Sequence, residues 1–267
     1  MPQPRDVSRV ANKVEGQPVL QMGARVGYAV SGVLHLLIGW IGVQVAWSAS
    51  GKSADQSGAL QTLAGSTLGR LTLWVAVLGF LALGLWQLAN ALAVRTGGVS
   101  SQWTARDKGI AKALVYLVLA WTSFSFAKGQ PSSSKAQSAD FTATMLQQTG
   151  GRLLVSVIGL VVIGVGVYHV VKGWTKRFLH DLSENPGTLA TRAGVFGYIA
   201  KGIALAVVGV LFVTAAVQNS SSKATGLDGA LRSLHQQAAG TWLLTAVALG
   251  IAAYGVYSFA RARHARI

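Results

Sequence analysis

Cysteine is absent from this 267-residue chain, which excludes disulfide bonds and thiolate metal sites. Charge is scarce as well: 12% of residues are charged, about half the fraction usual in a soluble domain. Acidic residues are the scarcest, with eight Asp and Glu against 23 Lys and Arg. All eight acids lie outside the apolar runs described below. Proton- and cation-coupled transport relies on carboxylates inside the membrane as relays or ligands, so that mechanism is disfavoured. P-loop, HExxH and G-x-S-x-G patterns are missing too, and with them the usual signs of nucleotide, zinc-protease and serine-hydrolase chemistry.

What the chain has is hydrophobic length. Its residues are 51% hydrophobic, and six apolar runs reach spanning length: 26–47, 71–94, 109–126, 153–171, 195–217 and 242–259. Glycine and other small residues are frequent inside them, which suits close helix packing in lipid. A polar segment, residues 1–22, precedes the first run. It carries no apolar stretch ending in a small-residue cleavage site, so the first run is expected to be a retained helix.

The net charge of +15 reads as topology. With six spans both termini share a side. That side holds fourteen Lys and Arg, the opposite loops hold seven, and Lys112 and Lys201 fall inside helix starts. The positive-inside rule then places both termini in the cytoplasm of a multi-pass protein. The expected partners are the bilayer and its anionic lipids, or another membrane protein complex. No nucleic-acid motif accompanies the charge, so nucleic acid is not an expected partner.

A stretch of about 75 residues recurs three times, at 23–95, 105–178 and 190–262, before a basic tail at 263–267. The first copy opens Gly27-Tyr28 and the third Gly197-Tyr198, whereas the second has Lys108-Gly109. The copies close on Gly84-Leu85-Trp86, Gly166-Val167-Tyr168 and Gly255-Val256-Tyr257. Each copy reads as two spans joined by a loop of about 20 residues on the far side. The expected fold is an all-α membrane protein: six transmembrane helices as three parallel hairpins with pseudo-threefold symmetry. Each far loop opens with a Ser/Lys-rich stretch (Ser50 to Ser53 in the first), then an Asp, then a short apolar pattern. An Asp there is an N-cap signal, so short amphipathic helices capped by Asp55, Asp140 and Asp228 are expected. The linker between copies two and three turns at Asn185-Pro186-Gly187. The one between copies one and two, Thr96 to Ser101, is Gly/Ser-rich.

The threefold hairpin, the Gly-Tyr openings and the closing G-x-W/Y resemble the bacterial, largely actinobacterial, membrane family called domain of unknown function 1206. The resemblance covers nearly everything from Arg25 to Arg261. It implies two-helix units in three copies and a place in a bacterial plasma membrane. It supplies no activity.

Aligning the copies makes Ser31, Lys112 and Lys201 one position, one to two turns into each odd helix. Lysines there either snorkel to lipid phosphate, or join Ser31 around a shared axis as a contact for an anion or lipid headgroup. His35 falls roughly 15 Å deep at 1.5 Å per residue, and its expected role is a hydrogen bond to a neighbouring helix. His169 lies nearer the cytoplasmic end. The two differ in depth, so neither a shared haem nor a metal is expected, and no cofactor is. Trp47, Trp74 and Trp242 at one interface, with Trp86, Tyr168 and Tyr257 at the other, read as aromatic belts. These features favour a non-catalytic structural, lipid-interacting or accessory protein. The alternative is a channel or carrier for a small or anionic solute between the hairpins.

Overall fold

The computed structural model describes residues 18–48, 51–93 and 99–266, with backbone only at 93 and 99–105. The polar stretch before residue 18, Ser50, linker residues 96–98 and Ile267 lie outside the described residues. Six long helices are each apolar enough to cross a membrane: α1 (Pro18–Trp47), α3 (Thr67–Ala93), α4 (Val99–Ala127), α6 (Gly151–Trp174), α7 (Gly187–Val217) and α9 (Gly240–His264). Three short helices join them on the far side: α2 (Gln56–Ala64), α5 (Ser134–Leu146) and α8 (Gly226–His235). The described residues hold no strand, only one isolated bridge between Leu182 and Ala265. The fold is therefore all-helical with six candidate spans. The described part of α1 reaches back to Pro18, inside the stretch read as polar, and that of α4 to Val99, within the Gly/Ser-rich linker.

The long helices pack in one order: α4 on α3, α3 on α1, α1 on α9, α9 on α7 and α7 on α6. Glycines set the three seams between successive copies. A Cβ added at Gly84 would lie 3.4 Å from the Ala113 carbonyl oxygen, one at Gly166 2.7 Å from that of Gly202, and one at Gly255 2.7 Å from that of Gly32. Gly32, Ala113 and Gly202 are equivalent positions in the three copies, each directly after Ser31, Lys112 or Lys201. The closing glycine of each copy thus lets the next odd helix come close.

The opening glycines do the same within a hairpin. A Cβ at Gly27 would lie 2.5 Å from the Gly79 carbonyl oxygen, and one at Gly197 2.5 Å from the Tyr254 Cα. The middle copy has Lys108 at this position, and its two helices, α4 and α6, make no comparable packing among the described residues. A lysine side chain cannot occupy a contact that only a missing Cβ permits. Three seams are equivalent, two hairpins are closed and one is open, so the packing does not establish a pseudo-threefold axis.

On the far side the three loops interlock. The Ala54 N–H donates to Asp228 Oδ1 at 2.8 Å, Arg232 donates to the Lys52 carbonyl, and the Ser134 N–H donates to Ser57 Oγ. Beneath them Leu60, Leu231, Leu244, Phe80 and Ile41 are fully buried, closing that half with an apolar core. At the other end Arg25 donates to the Ala262 carbonyl, and Arg266 donates to the Leu182 carbonyl at 2.8 Å, so the last residues of the chain are tied to the linker before α7.

Asp55 caps α2 as expected, accepting from the Gly58 N–H at 3.0 Å and the Ser57 hydroxyl at 2.6 Å. The expectation fails at the other two aspartates. α5 starts earlier, at Ser134, because the Ser133 hydroxyl already accepts from the Ala136 N–H; Asp140 is an exposed mid-helix residue. α8 starts at Gly226, whose positive φ of 63° turns the chain into the helix, and Thr225 stands at the cap position without a side-chain capping bond. Asp228 lies inside the first turn, 3% exposed, and ties loop 1 to Arg232 instead.

The seams make a direct prediction. Gly202→Leu would drive a side chain into the Gly166 carbonyl and lower stability by at least about 1–3 kcal/mol. Gly164→Leu, where an added Cβ meets nothing within 4 Å, would change it by less than about 0.5 kcal/mol. Thermal unfolding of the detergent-solubilised variants measures both.

Candidate functional site

The cations and phenols that face inward gather in the half of the bundle that carries the termini, whereas buried Asp55, Ser57, Thr142 and Asp228 belong to the far loops. His35 of α1 has Nδ1 2.7 Å from the Ser31 carbonyl oxygen. A carbonyl only accepts, so Nδ1 carries the proton and donates. Nε2 is then an acceptor, and Lys201 Nζ of α7 donates to it at 3.3 Å. The Ser31 hydroxyl lies 3.4 Å from the same ring. Lys201 also sits 4.3 Å from the centroid of the Tyr254 ring on α9, which stacks obliquely on His35 at 4.7 Å. Three helices therefore meet at one ammonium, halfway along α7. His35 does bridge helices, as its sequence position suggested. Lys201 does not snorkel to lipid: its head is turned inward and donates a hydrogen bond to the imidazole.

Lys112 completes the set from α4. It is exposed, yet it lies within electrostatic range of Arg261, Lys172, Asp181 and Tyr254. It shares a helix face with Tyr116, four residues on, whose ring stacks on Phe80 and meets the edge of Tyr28. We refer to the inward-facing polar region bounded by Lys112, Lys201 and Arg261, beside the sparsely packed boundary of α4 with α6, as the recess. His169 of α6 donates from Nδ1 to the Val165 carbonyl at 2.8 Å and stacks on Tyr198 at 5.7 Å. It borders the recess without touching His35.

Arg261 was legible only as one more topological charge, and it is the central cation. Its guanidinium lies 4.2 Å over the Tyr28 ring and interacts with Tyr116, Tyr198 and Tyr254. Its Nε is buried with no hydrogen-bond partner. Lys172 lies 5.4 Å over Tyr198 and pairs with Asp181 at 2.6 Å. Of four cations around this recess, Lys112, Lys172, Lys201 and Arg261, one has a carboxylate partner among the described residues. No group of three or more metal-ligating side chains occurs among those residues.

Two belt expectations are overturned. Tyr257 is fully buried and donates to the Phe178 carbonyl at 3.2 Å, and Trp86 is buried against Tyr28 and Ala24. In these two copies the closing G-x-W/Y motif turns its aromatic into the bundle, whereas Tyr168 of the middle copy faces outward. Trp47, Trp74, Trp242 and Tyr168 stay exposed.

Three segments of the chain, residues 26–93, 108–176 and 196–265, match the family described as Domain of Unknown Function (DUF1206). This chain belongs to that family. It is also 28% identical over 253 residues to the uncharacterized protein YxxB of Bacillus subtilis (strain 168), covering 92% of this chain and 91% of the relative. No solved structure matches it. The gap between α4 and α6 falls within the second matched segment.

His35→Leu would leave the Lys201 ammonium without its acceptor and cost about 1–3 kcal/mol, with partial recovery in His35→Gln. Thermal midpoints in detergent test this pair.

Proposed function

We propose that this protein is a non-catalytic, lipid-interacting or accessory protein of the bacterial plasma membrane, with both termini in the cytoplasm. One observation carries the reading. The far half is closed by interlocked loops over a fully buried apolar core, where buried Asp55, Ser57 and Asp228 are engaged in cap and loop contacts, and the inward-facing cations and phenols lie in the half bearing the termini. A conducting path would need polar groups at matching depths through both halves. A catalyst would need an acid or base free to serve a nucleophile or metal, and both ring nitrogens of His35 are engaged, Nδ1 by the Ser31 carbonyl and Nε2 by Lys201. The excess of Lys and Arg on the terminal side supports the orientation.

Purified protein in sealed vesicles is expected to leave small-anion and small-cation flux at the level of protein-free vesicles. Native mass spectrometry after gentle extraction is expected to show bound lipid or a stoichiometric membrane partner. Protein-dependent flux that Lys201→Met abolishes would establish the carrier reading in its place.

A further inference from the structure

We infer that the recess lined by Lys112, Lys201 and Arg261 is a binding site for a phosphate-bearing anion. The inference deepens the function proposed above and rests on its placement of the recess in a membrane.

The argument starts from cost. A lysine or arginine at membrane depth is unfavourable by roughly 2.5–3.5 kcal/mol on insertion scales, and such residues survive by pairing. Here Asp181 satisfies Lys172, and among the described residues no carboxylate pairs with the other three cations. They are not spread to lipid, where each could reach the interface separately. Lys201 is turned onto His35 and Tyr254, Arg261 onto Tyr28, and Lys112 into electrostatic range of Arg261. Like charges drawn together on an inner surface raise one another's cost unless something negative lies between them.

The donor set defines the ligand. An ammonium, a second ammonium and a guanidinium, with Tyr116 and Tyr254 hydroxyls among them, offer many N–H and O–H donors. Phosphate has several oxygens to accept them, and charge-assisted bonds of this kind are the strong ones. A carboxylate would satisfy fewer. The buried Arg261 Nε, which has no partner, is a donor left over for such an oxygen.

Access defines the route. Among the described residues α4 and α6 make no substantial packing contact, and Lys112 on α4 is exposed. The α4–α6 boundary opens sideways, toward where the hydrocarbon of a bilayer would be, so a lipid could slide its headgroup inward while its acyl chains stay outside. Inorganic phosphate from the aqueous side would present the same chemistry.

The test uses the delipidated full chain in detergent, with phosphatidylglycerol, phosphatidylcholine and inorganic phosphate as probes. Binding is read by native mass spectrometry and by the shift in thermal midpoint. Wild type is expected to retain phosphatidylglycerol but not phosphatidylcholine. Lys201→Met and Lys112→Met should each weaken retention by about tenfold or more, the scale of one charge-assisted hydrogen bond. Lys112→Met makes no hydrogen bond to lose, so it guards against misfolding. Without anion it should be as stable as wild type or more so, because a like charge has gone, and with anion it should gain less. A lysine that merely supports the fold would not give this reversal. Lys128→Met, on the far side, should behave as wild type. If inorganic phosphate protects in the same lysine-dependent way and the lipid adds nothing, the site stands and its ligand is aqueous. If neither probe protects wild type more than the lysine variants, the inference is wrong. The flux measurement reads a different property, so the two readings can fail separately.

Discussion

Everything in this bundle depends on how closely its helices cross. In lipid there is no hydrophobic gain from bringing two apolar helices together, so association rests on dispersion and on backbone approach. The chain meets this with glycine at fixed places. Gly255 against Gly32 and Gly166 against Gly202 leave no room for a Cβ, and Gly84 against Ala113 repeats the crossing with a slightly wider gap. Because the same crossing recurs at each junction between copies, one local solution orders three of the five helix contacts, and the opening glycines Gly27 and Gly197 order the other two.

The crossings also build the recess. The residue before each seam position is Ser31, Lys112 or Lys201. Successive residues on a helix lie about 100° apart, so a seam residue that faces its neighbour turns the preceding one off that neighbour, toward the inside of the bundle. Position and polarity are thus coupled at the three seams, where the residue before the seam position is polar. Three lysines at that level would repel. At about 7 Å and an effective dielectric near 20, each pair would cost roughly 2 kcal/mol. The first copy has serine instead, and one turn further on it has His35, which accepts from Lys201 where the other copies have Tyr116 and Leu205. The difference between copies lowers the charge and supplies an acceptor in the same step.

Much of this could be read in the sequence because it is periodic. Spanning helices announce themselves by length and composition, and the copies by self-similarity. The Ser31, Lys112 and Lys201 register followed from alignment alone, as did the departure at Lys108-Gly109. What stayed hidden depends on contacts between copies. Arg261 sits near a helix end, where a basic residue ordinarily marks topology, and only the rings of Tyr28, Tyr116, Tyr198 and Tyr254, drawn from four helices, make it an inner group. Trp86 and Tyr257 lie at belt height, and height does not say which way a ring points. Asp140 and Asp228 fit the spacing of a cap, but Ser133 and the turn at Gly226 begin their helices earlier. A cap signal is local, and it loses to whichever neighbour satisfies the first N–H groups sooner.

The middle copy shows what a repeat fold gains from imperfection. Three identical hairpins would close into a ring, with every inward group equivalent and none reachable from the side. Replacing Gly27-Tyr28 by Lys108-Gly109 does two things at once. It removes the glycine that holds a hairpin shut. It also removes the tyrosine that in the first copy lies beneath Arg261 and in the third beneath Lys172. Lys112, four residues on from Lys108, stays exposed. The aromatic cover over two cations and the open edge beside a third therefore share one origin, a two-residue change in a repeated motif. A recess with one open side is what that change produces, whatever ligand fills it.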